Sequence, residues 1–245
     1  MTSLNFNLRA CCMALLTLPS YASATNYFND FQGTVNNEWS STTTTNALTP
    51  YPAGARTFLG EFGAETVSLD LAGLDAHDEI TLNFDLYLLR TWDGSSGGAS
   101  LYDYGNDVFK VGVNGGAVLL EDTFSNGNPA GQTYGPNTHN ANMTGSIEQY
   151  SLGYTFYDGI QKQTYNQDSV YHFSFTFDHN ASDIQFNFSG IGLQDKSDES
   201  WGLDNVQVSF ANITSPVPEP SLMTMMTLGL LLVGWRRYRN IVATI

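Results

Sequence analysis

Cysteine is almost missing from this 245-residue sequence: the only two, Cys11 and Cys12, sit side by side near its start. Beyond residue 12 disulfides and thiolate metal sites are excluded, so stability must come from core packing, helped where an ion is held by oxygen ligands. Basic residues are scarce too, with nine Lys and Arg against 24 Asp and Glu and a formal net charge of −15. Residues 25–219 hold all 24 acidic groups but only five basic ones (Arg56, Arg90, Lys110, Lys162, Lys196), a net of −19. Such a surface repels nucleic acid and anionic lipid, because phosphate binding needs clustered Lys and Arg. It attracts divalent cations or cationic polymers, and in the plainest reading it serves solubility outside the cell. Total charge is low, and Asn, Thr, Ser, Gly and Tyr stand where Lys and Glu usually do, as in secreted β proteins with hydrogen-bonding surfaces.

Enzyme signatures are missing as well. There is no Gly-x-Ser-x-Gly elbow, no His-Glu-x-x-His and no phosphate loop; Gly94-Ser95-Ser96-Gly97-Gly98 lacks the Lys and the following helix. His77, His139, His172 and His179 show no metal-ligand spacing. No strand carries carboxylates at i and i+2, the spacing that suits a glycosidase pair on one sheet face, and Glu61 and Glu65 flank Gly63 in an apparent turn. A non-enzymatic protein is expected, with a carboxylate pair drawn from different strands as the enzymatic alternative and a protein-binding adhesive module as another.

The two ends carry delivery signals. Arg9 precedes an apolar run from Ala10 to Leu18, Pro19 breaks the helix, and Ala22-Ser23-Ala24 supplies the small residues that signal peptidase requires. A signal helix over residues 1–24, cleaved after Ala24, is predicted. At the other end Val217-Pro218-Glu219-Pro220 is stiff and extended, since proline fixes φ and disfavours helix before it. An uncharged Leu- and Met-rich stretch from Leu222 to Trp235 follows, predicting a hydrophobic helix, and then Arg236-Arg237-Tyr238-Arg239. That stretch falls short of the ~20 residues of an ordinary spanning helix, and the Arg cluster would hold its end in the cytoplasm. Pro218-Glu219-Pro220, a short hydrophobic helix and a basic end together resemble the PEP-CTERM sorting signal of Gram-negative bacteria. The resemblance implies transient insertion in the inner membrane, cutting by an exosortase, and release to the cell surface or extracellular matrix, a setting of exopolysaccharide and biofilm. Residues 241–245 extend beyond the usual pattern.

Between the ends, period-2 alternation replaces helical periodicity. In Glu79 to Arg90, Ile80, Leu82, Phe84, Leu86 and Leu88 share one face. Tyr171, Phe173, Phe175 and Phe177 do the same in Val170 to Phe177, and Ile184, Phe186 and Phe188 after the turn at His179-Asn180-Ala181-Ser182. That pair reads as an antiparallel hairpin. A second hairpin turns at Asn114-Gly115-Gly116, between Val108–Val113 and the run from Ala117 to Glu121. With Thr66 to Leu71 and Asn205 to Phe210 there are at least seven half-polar strands, which predicts an all-β fold, an antiparallel two-sheet β-sandwich of jelly-roll type over residues 25–213. Residues 214–245 form the sorting tail. Phe124 to Gln167 reads as a long irregular loop, functional or mobile.

Tyr27-Phe28-Asn29-Asp30-Phe31 at the start, and Trp201-Gly202-Leu203-Asp204-Asn205-Val206-Gln207-Val208 at the end, resemble galactose-binding-like jelly rolls, a fold common among secreted carbohydrate-binding modules. The resemblance implies adjoining first and last strands bridged by structural calcium, with Asp30 and Asp204, and less directly Asn29 and Asn205, as ligands; otherwise Asp204 caps a turn. A second acidic group, Asp93, Asp103 and Asp107, has similar chemistry but fits no EF-hand spacing and reads as a solvated loop. Leu89-Arg90-Thr91-Trp92-Asp93-Gly94, Asn106-Asp107-Val108-Phe109 and Glu199-Ser200-Trp201-Gly202-Leu203-Asp204-Asn205 together also resemble an uncharacterised group of PEP-CTERM proteins, which suggests no enzymatic activity. For sugar binding, Trp92 beside Arg90 and Asp93 is the candidate platform, with Tyr102 and Tyr104 in the same loop; Trp201, and alternatively Trp92, would close the core. Extracellular polysaccharide is the expected partner.

Overall fold

The computed structural model describes residues 27–48, 56–95, 105–127, 131–211, 229–232 and 235–236. Among the described residues thirteen strands lie between Tyr27 and Ala211. The larger sheet is built around β5 (Glu79–Arg90), flanked on one side by β13 (Glu199–Ala211) and on the other by β11 (Asp168–Asp178). Beyond β13 lie β3 (Thr57–Phe62), β2 (Thr44–Asn46) and, against the second half of β13, β1 (Tyr27–Asn29). β8 (Glu148–Gln149) closes the far edge. The smaller sheet has the order β4 (Thr66–Ala72), β12 (Asp183–Ile191), β6 (Val108–Val113), β7 (Val118–Thr123). A separate ribbon pairs β9 (Thr155–Asp158) with β10 (Gln163–Asn166). From β3 onward the chain passes repeatedly between the two main sheets, and every pairing is antiparallel, the jelly-roll pattern expected.

The alternation in β5 works as its sequence implies. Ile80, Leu82, Phe84, Leu86 and Leu88 are all fully buried, because successive side chains on a strand point to opposite faces. They meet Val67 and Leu69 of β4, Phe109 and Val111 of β6, and Phe186 and Phe188 of β12 across the sandwich. Burying each such side chain contributes roughly 1.5–3 kcal/mol, and this one layer replaces the missing disulfides.

One of the two predicted hairpins does not form. β11 and β12 are not a hairpin: β11 pairs with β5 and β8, β12 with β4 and β6, and the turn after β11 carries the chain from one sheet to the other. The reason lies in the pattern itself. Both strands present aromatic inner faces, which cover each other from opposite sheets, as the Phe177 and Phe186 rings do at 6.3 Å. The hairpin at Asn114-Gly115-Gly116 forms as predicted, between β6 and β7.

The long segment after β7 is folded down onto the sandwich by buried amides. The Gln132 side chain donates to the carbonyls of Tyr134 and Thr144, and accepts from Ser125 N and Tyr171 OH. The Asn126 side chain donates to the carbonyls of Leu88 and Arg90 and accepts from Ser169 Oγ. Leu152 and Tyr154 then cover Tyr87, Leu89 and Phe58 on the outer face of the larger sheet, a second, smaller core.

The predicted signal helix, Ala22, Ala24, Pro218, Glu219 and Pro220 lie outside the described residues. In the tail, residues 229–232 and 235–236 are helical. Among the described residues no helix is long and apolar enough to cross a membrane.

Candidate functional site

The end of β5 and the start of β13 lie side by side, with Arg90 opposite Glu199. Period-2 placement decides which side chains turn inward here. Glu199, Trp201 and Leu203 share the inner face of β13, and Asp107 stands in the same relation to Phe109 and Val111 of β6 on the opposite sheet. Phe109 and Trp201 meet edge to face with ring centroids 5.2 Å apart. Asp107 and Glu199 therefore occupy the next layer outward, one from each sheet, and both are fully buried.

Asp93 joins them from the segment after β5. Carboxylate oxygens of Asp93, Asp107 and Glu199 all lie within 4.8 Å of one another. Asp107 Oδ2 accepts hydrogen bonds from the backbone amides of Asp93 and Gly94, the latter at 3.1 Å, and Asp107 N donates to Gly94 O at 2.8 Å. Glu199 Oε2 accepts from Gln194 N at 2.6 Å. Two glycines allow the loops to close this tightly. A Cβ on Gly94 (φ +83°) would lie 2.0 Å from Gly131 O, and one on Gly192 (φ +81°) 2.1 Å from Asn106 O.

Burial, reinforced by the charge of Asp198, pushes Asp93 up to about 6. Burial also raises Asp107, with the Asp93 charge adding to it, although amide hydrogen bonds pull the other way. Glu199 rises through burial and then through the charge of Asp107. Three oxygen donors at this spacing suit protons shared between carboxyls or a hard cation.

The other predicted residues fall as follows. Trp92 is fully buried and donates Nε1–H to Ser200 O at 2.8 Å, so the exposed sugar platform expected of it is corrected: its ring closes the core, as Trp201's does. Arg90 ion-pairs with Glu61 and donates to Ser200 Oγ. Glu61 lies in β3 and not in a turn. Asp93 is in the carboxylate cluster, and the solvated-loop reading of Asp107 fails because its place on the inner face buries it. Asp103, Tyr102 and Tyr104 lie outside the described residues.

β1 and β13 adjoin, with Asn29 opposite Val206. Asp204 is buried, accepting from Tyr87 OH at 2.7 Å and from Asn205 N at 2.8 Å, and burial raises it to about 6, with further upward push from Asp85 and Asp30. Asn205 (φ +49°) sits in the bulge of β13 opposite β5 and donates to Asp85 Oδ2. Asn29 Oδ1 accepts from Phe31 N and Asp30 Oδ1 from Gln32 N, both local turn bonds.

Sequence reading missed Glu199. It lies 92 positions from Asp107, and the available signal was an acidic residue two before a core Trp at a strand start. It also missed the meeting of His77 Nε2 with His179 Nδ1, 2.7 Å apart at the opposite end of β5.

No curated protein matches the chain. Among solved structures, the C-terminal CBM6 of LamC, a marine laminarinase from Zobellia galactanivorans, overlaps with a TM-score of 0.33 and 9% identity over 75% of this chain and 98% of its own. The CBM22-1 xylan-binding domain of Xyn10C from Paenibacillus barcinonensis gives 0.32 and 10% over 76% and 94%. The GH115 4-O-methyl-α-glucuronidase BtGH115A, with specificity for decorated arabinogalactans, gives 0.35 and 11% over 85% of this chain but 20% of its own. Residues 216–239 match the PEP-CTERM protein-sorting motif, and the β-sandwich described above is thus carried by a chain bearing that sorting signal.

Proposed function

We propose that this is a non-enzymatic exported protein, delivered by an exosortase to the cell surface or matrix, where its sandwich associates with extracellular polysaccharide. Delivery is supported by the sorting motif at 216–239. The observation that carries the polysaccharide reading is the outer face of the larger sheet. Across it run the rows Gln207–Asn83–Ser174 and Ser209–Thr81–Thr176, with Thr81 Oγ1 and Thr176 Oγ1 2.8 Å apart. At its edge Phe28, opposite Gln207, is 58% exposed. A flat array of amides and hydroxyls beside an exposed ring matches a sugar chain, whose hydroxyls need both donors and acceptors and whose C–H faces stack on aromatics. The strong negative charge of the domain favours neutral or amino sugars over anionic ones. The burial of Asp107 and Glu199 supports the non-enzymatic reading, since carboxylates acting on a glycosidic bond must flank it in an open groove.

Affinity electrophoresis through gels containing neutral or cationic polysaccharides tests the reading. At least one should retard the protein, and Phe28→Ala with Asn83→Ala should weaken that retardation by about tenfold, equal to 1.4 kcal/mol. Migration unaffected by every polysaccharide would overturn it. For delivery, mass spectrometry of surface-released protein should find no peptide beyond Pro220, and an intact C-terminus there would refute processing.

A further inference from the structure

We infer that Asp93, Asp107 and Glu199 form a calcium site that ties the end of β5 to the starts of β6 and β13, at the opposite end of β5 from its His77–His179 contact. The inference is independent of the polysaccharide reading, and the site is distinct from the Asn29, Asp30, Asp204 and Asn205 set.

Three features carry it. The first is convergence: three carboxylates from three separate segments bring oxygens within 4.8 Å of one another, two of them on the facing inner surfaces of the two sheets. Like charges held together in a buried layer repel unless something positive stands between them. The second feature is an unused ligand atom. Asp107 is fully buried, its Oδ2 is taken by the amides of Asp93 and Gly94, and its Oδ1 has no hydrogen-bond partner. With Oδ2 held by the backbone amides, Oδ1 is the oxygen left for the centre, where carboxylate oxygens of Asp93, Asp107 and Glu199 come within 4.8 Å of one another. Buried polar atoms are almost always satisfied, and an orphaned carboxylate oxygen facing another carboxylate asks for a cation. The third is pre-organisation: the Gly94 and Gly192 close approaches fix the loops that carry the ligands.

The donors select the ion. All are oxygens, with neither His nor Cys in the group, which excludes the softer transition-metal sites. Calcium accepts irregular sets of six to eight oxygens, including main-chain carbonyls and water, whereas magnesium demands a near-ideal octahedron and gives up its water reluctantly. Asp93 is half-buried, so the ion would enter and keep its water on that side.

The test uses the purified full-length chain, stripped with chelator and then titrated with calcium chloride alone. One calcium should bind per chain and raise the melting temperature, and equal magnesium should not replace it. Glu199→Gln and Asp107→Asn should each weaken binding by tenfold or more, while Asp204→Asn leaves it unchanged. Terbium provides a readout that does not depend on stability: Trp92 and Trp201 adjoin the centre, so bound terbium should emit on tryptophan excitation, and this emission should be lost in Glu199→Gln. If the buried variants fail to fold, Asp93→Asn at the half-exposed ligand takes their place. Absence of saturable calcium binding to the stripped wild-type chain overturns the inference. Binding that survives Glu199→Gln and Asp93→Asn but vanishes in Asp204→Asn overturns it equally, because it moves the ion to the first and last strands.

Discussion

Two polar clusters, each built on a glutamate, grow from the same pair of strand ends and are resolved in opposite ways. In one, Glu61 of β3 accepts from Arg90 Nη1 at 2.5 Å, Tyr154 OH at 2.9 Å and Ser200 Oγ at 3.0 Å, with the Arg90 guanidinium 4.9 Å over the Tyr154 ring. In the other, Glu199, one residue before Ser200, meets Asp107 and Asp93, three residues after Arg90. Burial works to raise both glutamates. Hydrogen bonds from Arg90 and Tyr154 outweigh it at Glu61, which ends below the ordinary carboxylate range, whereas the Asp107 charge compounds it at Glu199. Two glutamates on paired strands, β3 and β13, thus acquire opposite shifts, and the partner rather than the depth sets the sign. The first cluster carries its own cation; the second has the form of one that borrows it.

The largest effect expected is on the self-sufficient cluster. Arg90→Met strands a mostly buried Glu61 carboxylate and should cost about 3 kcal/mol, seen as a lower urea midpoint at unchanged slope. Next comes Gly94→Ala, which forces an L side chain into a positive-φ site and against Gly131 O. A loss of about 2 kcal/mol is expected, with terbium emission reduced in the same protein. The third effect should have the opposite sign. In chelator-treated protein, Glu199→Gln removes a buried repulsion and should raise stability by about 1 kcal/mol; in calcium the same change should lower it. Stabilisation under both conditions would erase the contrast between the clusters.

Much of this architecture was legible in the sequence, because it rests on period-2 alternation. The inner faces of β5, β11 and β12 were assigned residue by residue. Partnership was not legible: the aromatic faces of β11 and β12 fit equally well side by side or across a core, and a short polar turn serves either arrangement. The site was half visible, with Asp93 and Asp107 grouped by proximity in sequence and Glu199 hidden by its distance from them. Alternation held the clue, since Glu199 precedes Trp201 by two and Asp107 precedes Phe109 by two. An inward acidic residue at a strand start stands out only once both strands are known to end at one place. Alternation cannot place Trp92, because no periodicity extends past Arg90, where φ is +70° and the strand pattern stops.

The pH dependence of Glu61 sharpens the contrast further. Its folded pKa lies below the unfolded value of about 4.3, so its contribution is fully present above that value and disappears as pH falls through the folded one. The stability difference between wild type and Glu61→Gln should therefore shrink on acidification below about pH 4, measured by urea unfolding at a series of pH values. A difference that stays constant would mean that Arg90 holds Glu61 by packing and not by charge.

The smallest effect is expected at Lys110, and it tests what makes Arg90 matter. Lys110 Nζ lies 2.8 Å from Glu121 Oε2 across β6 and β7, a separation close to that of Arg90 and Glu61. Coulomb's law at equal distance and equal dielectric would value the two pairs alike. Their surroundings differ: the Glu121 side chain is 51% exposed, against 17% for Glu61. Water screens the first pair and is largely excluded from the second, so Lys110→Ala should cost less than about 0.5 kcal/mol and lose even that in high salt. A loss comparable to that of Arg90→Met, abolished by salt, would show that the domain's overall negative charge makes any cation valuable. The contrast between the two clusters would then reflect the field of the whole protein, and local exclusion of water would lose its claim as the cause.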